Sequence, residues 1–457
     1  MSFANVFSIP IGNKVLLYAP LHQFTALVNQ AALYSIRDSL QKSQLPPPVL
    51  QPIVDQLVKQ PVPPSKRTGP LDTPVFLGII PTRGCNMACS YCDFAALKQD
   101  SPMMTFHTAR RAVDAYFDML RDSTTTQAAV HFFGGEPFVA DHVIHFVVGY
   151  ANMRAEEYGM TVNFEATTNG LYNTNRCQWI AEHFSTIVLS LDGTPDIQDR
   201  HRPGINGAPL SDIIIRNAKI LSEGPVELVI RACVTAETVV RLPEIAEWIS
   251  QEFRPSTVCF ETLSLSHVAA DIAFAPPNPW EFATYFDQAA CILAESGIET
   301  VISTADLYAP RVSFCPVGKD ALIVSPDGAV DTCYLLQKDW ESSGLDLRLG
   351  WLRESGFELS PVSIQHARDL NVDNRPLCAD CFCRFSCAGG CHVNHDTSRP
   401  PGQYDDLCIQ TRLITVTRLL RQIGQDTLAD TWLADRAAAE AAVWQPNDRL
   451  LCPEVIS

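Results

Sequence analysis

The chain has 457 residues, 46% hydrophobic and 19% charged, with a formal net charge of −17; this composition excludes a disordered chain and argues against nucleic-acid binding, which needs a basic face. The length suits two or three domains with substantial cores, and no apolar run approaches the roughly 18–20 residues of a membrane helix. Met-Ser-Phe-Ala-Asn at the start lacks a basic segment followed by an apolar stretch, so a cytoplasmic location is expected, and sixteen cysteines there point to metal ligation rather than disulfides.

Residues Val6–Asn29 alternate apolar and polar in short runs, with a hairpin at Ile11-Gly12-Asn13-Lys14 and a third strand within Gln23–Asn29. A helix is expected over Gln30–Leu40 and an amphipathic segment over Val49–Lys59. Prolines at 46–48 and 61–64 mark a stiff linker, so residues 1–66 read as a separate small α+β module. Val75–Thr82 then reads as a buried strand and Met103–Leu120 as a helix. Between them lie Cys85, Cys89 and Cys92, spaced Cys-xxx-Cys-xx-Cys. Three thiolates on one loop can hold three irons of a [4Fe–4S] cube and leave the fourth open, whereas zinc would want a fourth ligand nearby that the loop does not offer.

Further strands are expected at Ala128–Phe133, Thr161–Thr167, Thr186–Leu191, Val226–Val234 and Thr257–Leu265, each followed by a helical stretch. Six strand–helix units imply a parallel sheet, with chemistry at the strand C-termini. Several polar groups fall at those ends: Gly134-Gly135-Glu136-Pro137, Thr168-Asn169-Gly170, Ser190-Leu191-Asp192-Gly193, Arg231 and Glu261. A helix is expected over Pro276–Ser296. Cys315 and Cys333 flank a hairpin with an Asp327-Gly328 turn, followed by Cys378-xx-Cys381-xxxxx-Cys387-xxx-Cys391 and Cys408. Cys177, Cys233, Cys259, Cys291 and Cys452 read as buried small hydrophobes. Ile409–Ile423 and Asp430–Trp444 read as helices capping the cysteine-rich region.

The cluster loop, the Gly-Gly-Glu-Pro turn and the seven later cysteines together resemble the radical S-adenosylmethionine (SAM) enzymes that carry a SPASM extension. The resemblance spans about residues 75–410. It implies a partial (β/α)6 barrel over 67–305, a SPASM domain with auxiliary iron–sulfur clusters over 306–410, and a C-terminal helical cap over 411–457. It also implies SAM, a [4Fe–4S] cluster whose open iron chelates it and cleaves its sulfonium to give a 5′-deoxyadenosyl radical, and two auxiliary [4Fe–4S] clusters.

By the same resemblance Tyr91 packs beside adenine, Gly134, Gly135 and Glu136 meet the SAM amino group, and Ser190 and Asp192 lie at its ribose or methionine part. Arg231 has two readings, a contact to the SAM carboxylate or a structural ion pair, and Glu261 is the candidate for touching substrate. Asp199-Arg200-His201-Arg202 resembles a family segment in which His stands where this chain has Gln198, and its role stays open. Cys378, Cys381, Cys387 and Cys408 are implied to hold the distal auxiliary cluster, and Cys315, Cys333 and Cys391 the proximal one. The proximal cluster either keeps an open iron or takes a further ligand such as Cys383.

Residues 1–66 resemble in outline a leader-peptide recognition module; a structural cap is the other reading. The expected function is oxidative crosslinking, thioether or carbon–carbon, of a ribosomally made precursor peptide, with a low-potential donor such as flavodoxin or ferredoxin and no membrane or nucleic-acid partner. The alternatives are formation of formylglycine from Cys or Ser in a sulfatase, and a non-catalytic electron carrier.

Overall fold

The computed structural model describes residues 5–92, 101–264, 274–396, 398–444 and 448–450. The first strands form where the apolar alternation meets a glycine able to turn. β1 (Phe7–Ile11) and β2 (Lys14–Ala19) pair antiparallel around Gly12, whose φ of +59° lies in the left-handed region open to glycine. β3 (Phe24–Asn29) adds to β2 and ends at Asn29, whose side chain caps the helix Gln30–Lys42 by accepting the Ala32 N–H. That helix and Gln51–Leu57 bury Val15, Leu17, Val28, Leu33, Ile36 and Val54 against one face of the sheet.

The second sheet begins at β4 (Leu77–Ile79) and continues through β5 (Gln127–Phe132), β6 (Thr161–Thr168), β7 (Thr186–Ser190), β8 (Glu227–Val234), β9 (Thr257–Thr262) and β10 (Glu299–Val301), each parallel to the next. Helices cover its outer face. Phe106–Leu120, for example, starts at Thr105, whose hydroxyl accepts the Thr108 N–H, and buries Ala109, Val113, Tyr116 and Phe117.

The parallel array is larger than the six expected strands. β10 extends one side, and β11 (Leu322–Val324) pairs in parallel with β4 on the other. β12 (Ala329–Asp331) returns from β11 through Asp327-Gly328, with Gly328 at φ +84°, and β13 (Arg348–Arg353) and β14 (Gly356–Leu359) complete an eleven-stranded sheet. The sheet therefore runs unbroken through the boundary expected near residue 305.

The ends of the chain depart from expectation. Asp430–Trp444 is two helices, Asp426–Ala434 and Arg436–Val443, and β15 (Asp448–Arg449) pairs antiparallel with β1. Phe7, Ile9, Ile11, Leu16 and Tyr18 join the main core, so residues 1–66 are not a detached module. The proline linker is also fastened, through Val62 N–H to the Leu21 carbonyl at 2.9 Å and Arg368 Nη1 to the Gly69 carbonyl at 2.5 Å. The outer edge of β3 has no strand partner among the described residues. No helix among them is long and apolar enough to cross a membrane.

Candidate active site

A cavity of about 1280 Å³ opens at the C-terminal ends of the parallel strands. Its walls bring together Cys85, Cys89, Tyr91 and Cys92, then Gly134, Gly135, Glu136, Ser190, Arg231 and Glu261, and on the far side Cys315, Cys333 and Cys391. The two cysteine fields thus face one chamber.

The cysteine loop is held by backbone contacts on two sides. Ala88 and Ser90 N–H donate to the carbonyls of Pro203 and His201 at 2.9 Å, while Glu136 N–H donates to Gly84 O at 2.9 Å. The glycines of the Gly-Gly-Glu-Pro turn serve this approach: a Cβ on Gly134 would lie 2.4 Å from Thr82 O, and one on Gly135 would lie 2.3 Å from Gly84 O. Backbone of the loop fills the space that side chains would need.

Glu136 is 1% exposed. Its carboxylate accepts the Thr168 hydroxyl at 2.9 Å and the N–H groups of Phe138 and Asn169 at 3.1 and 2.7 Å, tying two strand-end turns together. Burial outweighs these bonds and pushes its carboxyl up to about 7. Asn169 in turn donates its side-chain amide to Asn86 Oδ1 at 2.8 Å and approaches Cys85 Sγ at 3.6 Å. Sequence reasoning left Asn169 out of the site, although its turn was noticed.

Tyr91 and Asp192 meet each other. The Tyr91 hydroxyl donates to Asp192, which also receives His201 Nδ1 at 3.1 Å and the Cys233 N–H at 3.0 Å and forms an ion pair with Arg202, whose Nε stands 3.1 Å away. Burial opposes the charge, but Arg202 and His201 hold the Asp192 carboxyl below its ordinary value. Arg202 lies 5.3 Å from the Tyr91 ring centroid and 3.9 Å from Cys89 Sγ. This gives His201 and Arg202 the role the sequence left open: they lock the end of the cysteine loop onto the fourth strand end of the barrel. Gln198 fits by accepting the Asp192 N–H at 2.8 Å.

Ser190 and Arg231 sit side by side as a registered pair on β7 and β8. Glu261 is clasped by Ser303, through its N–H at 2.9 Å and its hydroxyl, and receives the Cys259 thiol at 3.2 Å. Cys233 lines the chamber and Cys291 is exposed, so neither is the buried core residue expected; Cys177 and Cys259 are buried, and Cys452 lies outside the described residues.

In the later field the β11–β12 hairpin brings Cys315 and Cys333 into one cluster with Cys391, packed on Val317, Trp340, Leu347 and Val393. Cys378, Cys381, Cys387 and Cys408 line a separate small void behind the chamber. Cys383 belongs to that void, with its thiol 3.3 Å from the Thr415 hydroxyl, so the structure does not bring it to Cys315, Cys333 and Cys391. The short helix Arg384–Cys387 begins just after Cys383 and turns it away. Cys408 lies in the first turn of Asp406–Gln422, not ahead of the helix as expected, and its N–H is capped by Asp405 at 2.9 Å.

Burial pushes the Cys85, Cys89, Cys315 and Cys387 thiols up to about 12, 11, 11 and 11. Cys381 runs the other way, pulled below the ordinary thiol value by its hydrogen bond with Cys383 and by Arg412, whose Nη1 stands 2.9 Å from its sulfur. A single tetrahedral ion would draw thiolates within about 4 Å of one another, given metal–sulfur bonds near 2.3 Å. Among the described residues the one set of His, Cys, Asp and Glu atoms that close is His395, Asp405 and Cys408, within 4.8 Å.

An open parallel sheet with a three-thiol loop at its strand ends, facing a SPASM-like cysteine-rich extension, defines the class. Residues 79–249 match the radical SAM superfamily, a match that gives the chain a radical SAM domain and makes it an enzyme rather than a passive electron carrier. The cysteine-type anaerobic sulfatase-maturating enzyme of Clostridium novyi is 22% identical over 349 residues, 71% of this chain and 89% of that one. Among solved structures, native anSMEcpe with bound AdoMet and Kp18Cys peptide aligns with a TM-score of 0.60 at 17% identity, covering 76% of this chain and 98% of that one. Streptococcus suis SuiB bound to precursor peptide SuiA aligns with a TM-score of 0.50 at 12% identity, covering 86% and 95%.

Proposed function

We propose that this enzyme is a cytoplasmic maturase that removes hydrogen from a ribosomally made precursor peptide and installs an oxidative crosslink, thioether or carbon–carbon. The observation that carries the reading is the shared chamber, which sets the radical SAM loop opposite a second cysteine set across a space able to admit a peptide segment. The bound [4Fe–4S] cluster and SAM supply a primary carbon radical able to take a hydrogen atom from an unactivated C–H bond.

The chain's own residues then position and protect. The Asp192 knot and the paired glycines fix the cysteine loop against the strand ends, and Phe133, Leu263, Pro276, Pro277 and Phe314 give the chamber an apolar wall that limits water. Cys85, Cys89 and Cys92 would hold the SAM cluster; Cys315, Cys333 and Cys391, and Cys378, Cys381, Cys387 and Cys408, would hold two auxiliary clusters that take the second electron of the oxidation. A low-potential flavodoxin or ferredoxin would supply the separate electron that SAM cleavage consumes. Support for a leader-bearing substrate comes from the outer edge of β3, unpartnered among the described residues, where an extended peptide can add as a fifth strand to the β15–β1–β2–β3 sheet.

Formation of formylglycine is the second reading, favoured by the alignment with the sulfatase-maturating enzyme over 89% of its length. Anaerobic co-expression with a candidate precursor, followed by mass spectrometry, separates the two. A crosslink removes two hydrogens and leaves no aldehyde, whereas formylglycine reacts with a hydrazide probe. A precursor unchanged in mass, beside a sulfatase peptide that gains the aldehyde, would overturn the crosslinking reading.

A further inference from the structure

Two arginines stand buried behind the later cysteine field, and the chemistry above uses neither. Arg412 is fully buried on the helix Asp406–Gln422. Its Nη1 meets Cys381 Sγ at 2.9 Å, its Nε donates to the Val443 carbonyl at 2.8 Å, and its guanidinium lies 4.2 Å from the ring centroids of both Phe382 and Tyr404. It meets the distal set through Cys381.

Arg375 is placed differently. It is 6% exposed, and its carbonyl accepts the Cys378 N–H at 3.0 Å. Its guanidinium donates to the Gly389 carbonyl and to His392 Nδ1, neither of which is a carboxylate. Gly389 belongs to Cys387-Ala388-Gly389-Gly390-Cys391, the short segment that joins a distal cysteine to a proximal one. The fit is close: a Cβ on Gly389, whose φ is +83°, would lie 2.4 Å from Arg375 Cδ. Burial pulls the Arg375 guanidinium below its ordinary value, and thiolates at Cys378, Cys387, Cys391 and Cys315, from both sets, would oppose that pull.

A buried guanidinium needs nearby negative charge. Thiolate-ligated clusters on both sides would provide it. We propose that Arg375 is the shared counter-cation of the two auxiliary clusters and raises the reduction potential of both, whereas Arg412 acts on the distal cluster alone. The reason is electrostatic: each added electron makes a cluster more negative, and a fixed cation beside it favours the reduced form, as net charge and hydrogen bonds to the sulfurs do in general.

This inference rests on the two-cluster reading, and the experiment separates their failures. The full chain carrying Cys85→Ala, Cys89→Ala and Cys92→Ala is reconstituted anaerobically, its iron and sulfide are counted, and its auxiliary clusters are titrated by EPR against a series of mediators. The expected result is two clusters, both at least tenfold harder to reduce in Arg375→Gln, a shift of about 59 mV for one electron. Arg375→Lys keeps both potentials within that range, and Arg412→Gln lowers one. Two intact clusters with one or neither potential moved by Arg375→Gln would overturn the inference and leave the two-cluster reading standing. Fewer than two auxiliary clusters in the parent chain would overturn both. Should Arg375→Gln lose iron, Arg375→Lys decides: both potentials held supports a charge effect, and a tenfold shift in either refutes it.

Discussion

The first cysteine field, which faces the chamber, and the part of the second that lies behind it are built in opposite ways. The first sits on a loop: Cys85 and Cys89 are half-buried, Cys92 is exposed, and the loop is fixed by backbone bonds to the strand ends and by the Asp192 knot. The second is embedded: Cys378, Cys381 and Cys383 are buried, and Arg412, Arg375 and His395 press on the cysteines or their connecting segment. A site that must admit a ligand to an open iron needs an accessible thiol loop on a rigid base, whereas one that stores an electron gains from burial and fixed cations.

Separating the fields is the first way to test that contrast. Replacing Cys85, Cys89 and Cys92 with Ala should bring SAM cleavage to background while the later cysteines retain their iron, measured as 5′-deoxyadenosine formed and iron per chain. Loss of all iron would show that the fields do not load independently.

Asp192→Ala should come next in size. It leaves His201 and Arg202 buried without their carboxylate, a change that costs about 3–5 kcal/mol when one partner of a buried pair is removed. Thermal unfolding should show the loss, and SAM cleavage should fall with the auxiliary cluster signals unchanged.

Glu136 gives a pH signature. Its folded-state value of about 7 stands above the ordinary 4.5, so the folded protein is favoured most below pH 4.5, loses stability as pH rises through this window, and levels off above 7. The span corresponds to about 3 kcal/mol at 1.36 kcal/mol per unit. Comparing anaerobic melting at pH 5 and pH 7.5 should show this decline in the parent chain and a smaller one in Glu136→Gln.

Gly135→Ala should have the smallest effect of the four, about 1–3 kcal/mol, because its Cβ would press on Gly84 O and the loop must yield. Its mark would be weaker SAM binding in calorimetry, again with the auxiliary clusters unaffected.

The cysteine loop was legible because its chemistry depends on spacing within eight residues, and the parallel strands because apolar runs alternate with helical periodicity. Glu136 was found for its carboxylate, but its bonds to Thr168 and Asn169 come from a different strand end and leave no trace in the tetrapeptide. Of the two readings of the proximal set, an open iron or a further ligand such as Cys383, spacing cannot choose, because Cys383 stands between Cys381 and Cys387 in sequence and lines their void in the fold. Arg412 did leave a signal: an arginine four residues after Cys408, among Ile409, Leu413 and Val416 on a buried face, has to meet an internal anion. β15 left none, since two residues have no periodicity and their partner is β1.

That last pairing sets an order on biosynthesis. Phe7 and Ser8 are made long before Arg449 and Asp448, the residues that close their outer hydrogen-bonding edge. Until then the nascent sheet presents an exposed edge at β1 as well as at β3, either of which could recruit a stray strand. Synthesis of β15 covers the edge at β1, so this sheet, with two open edges while β15 is still missing, keeps the one at β3 among the described residues.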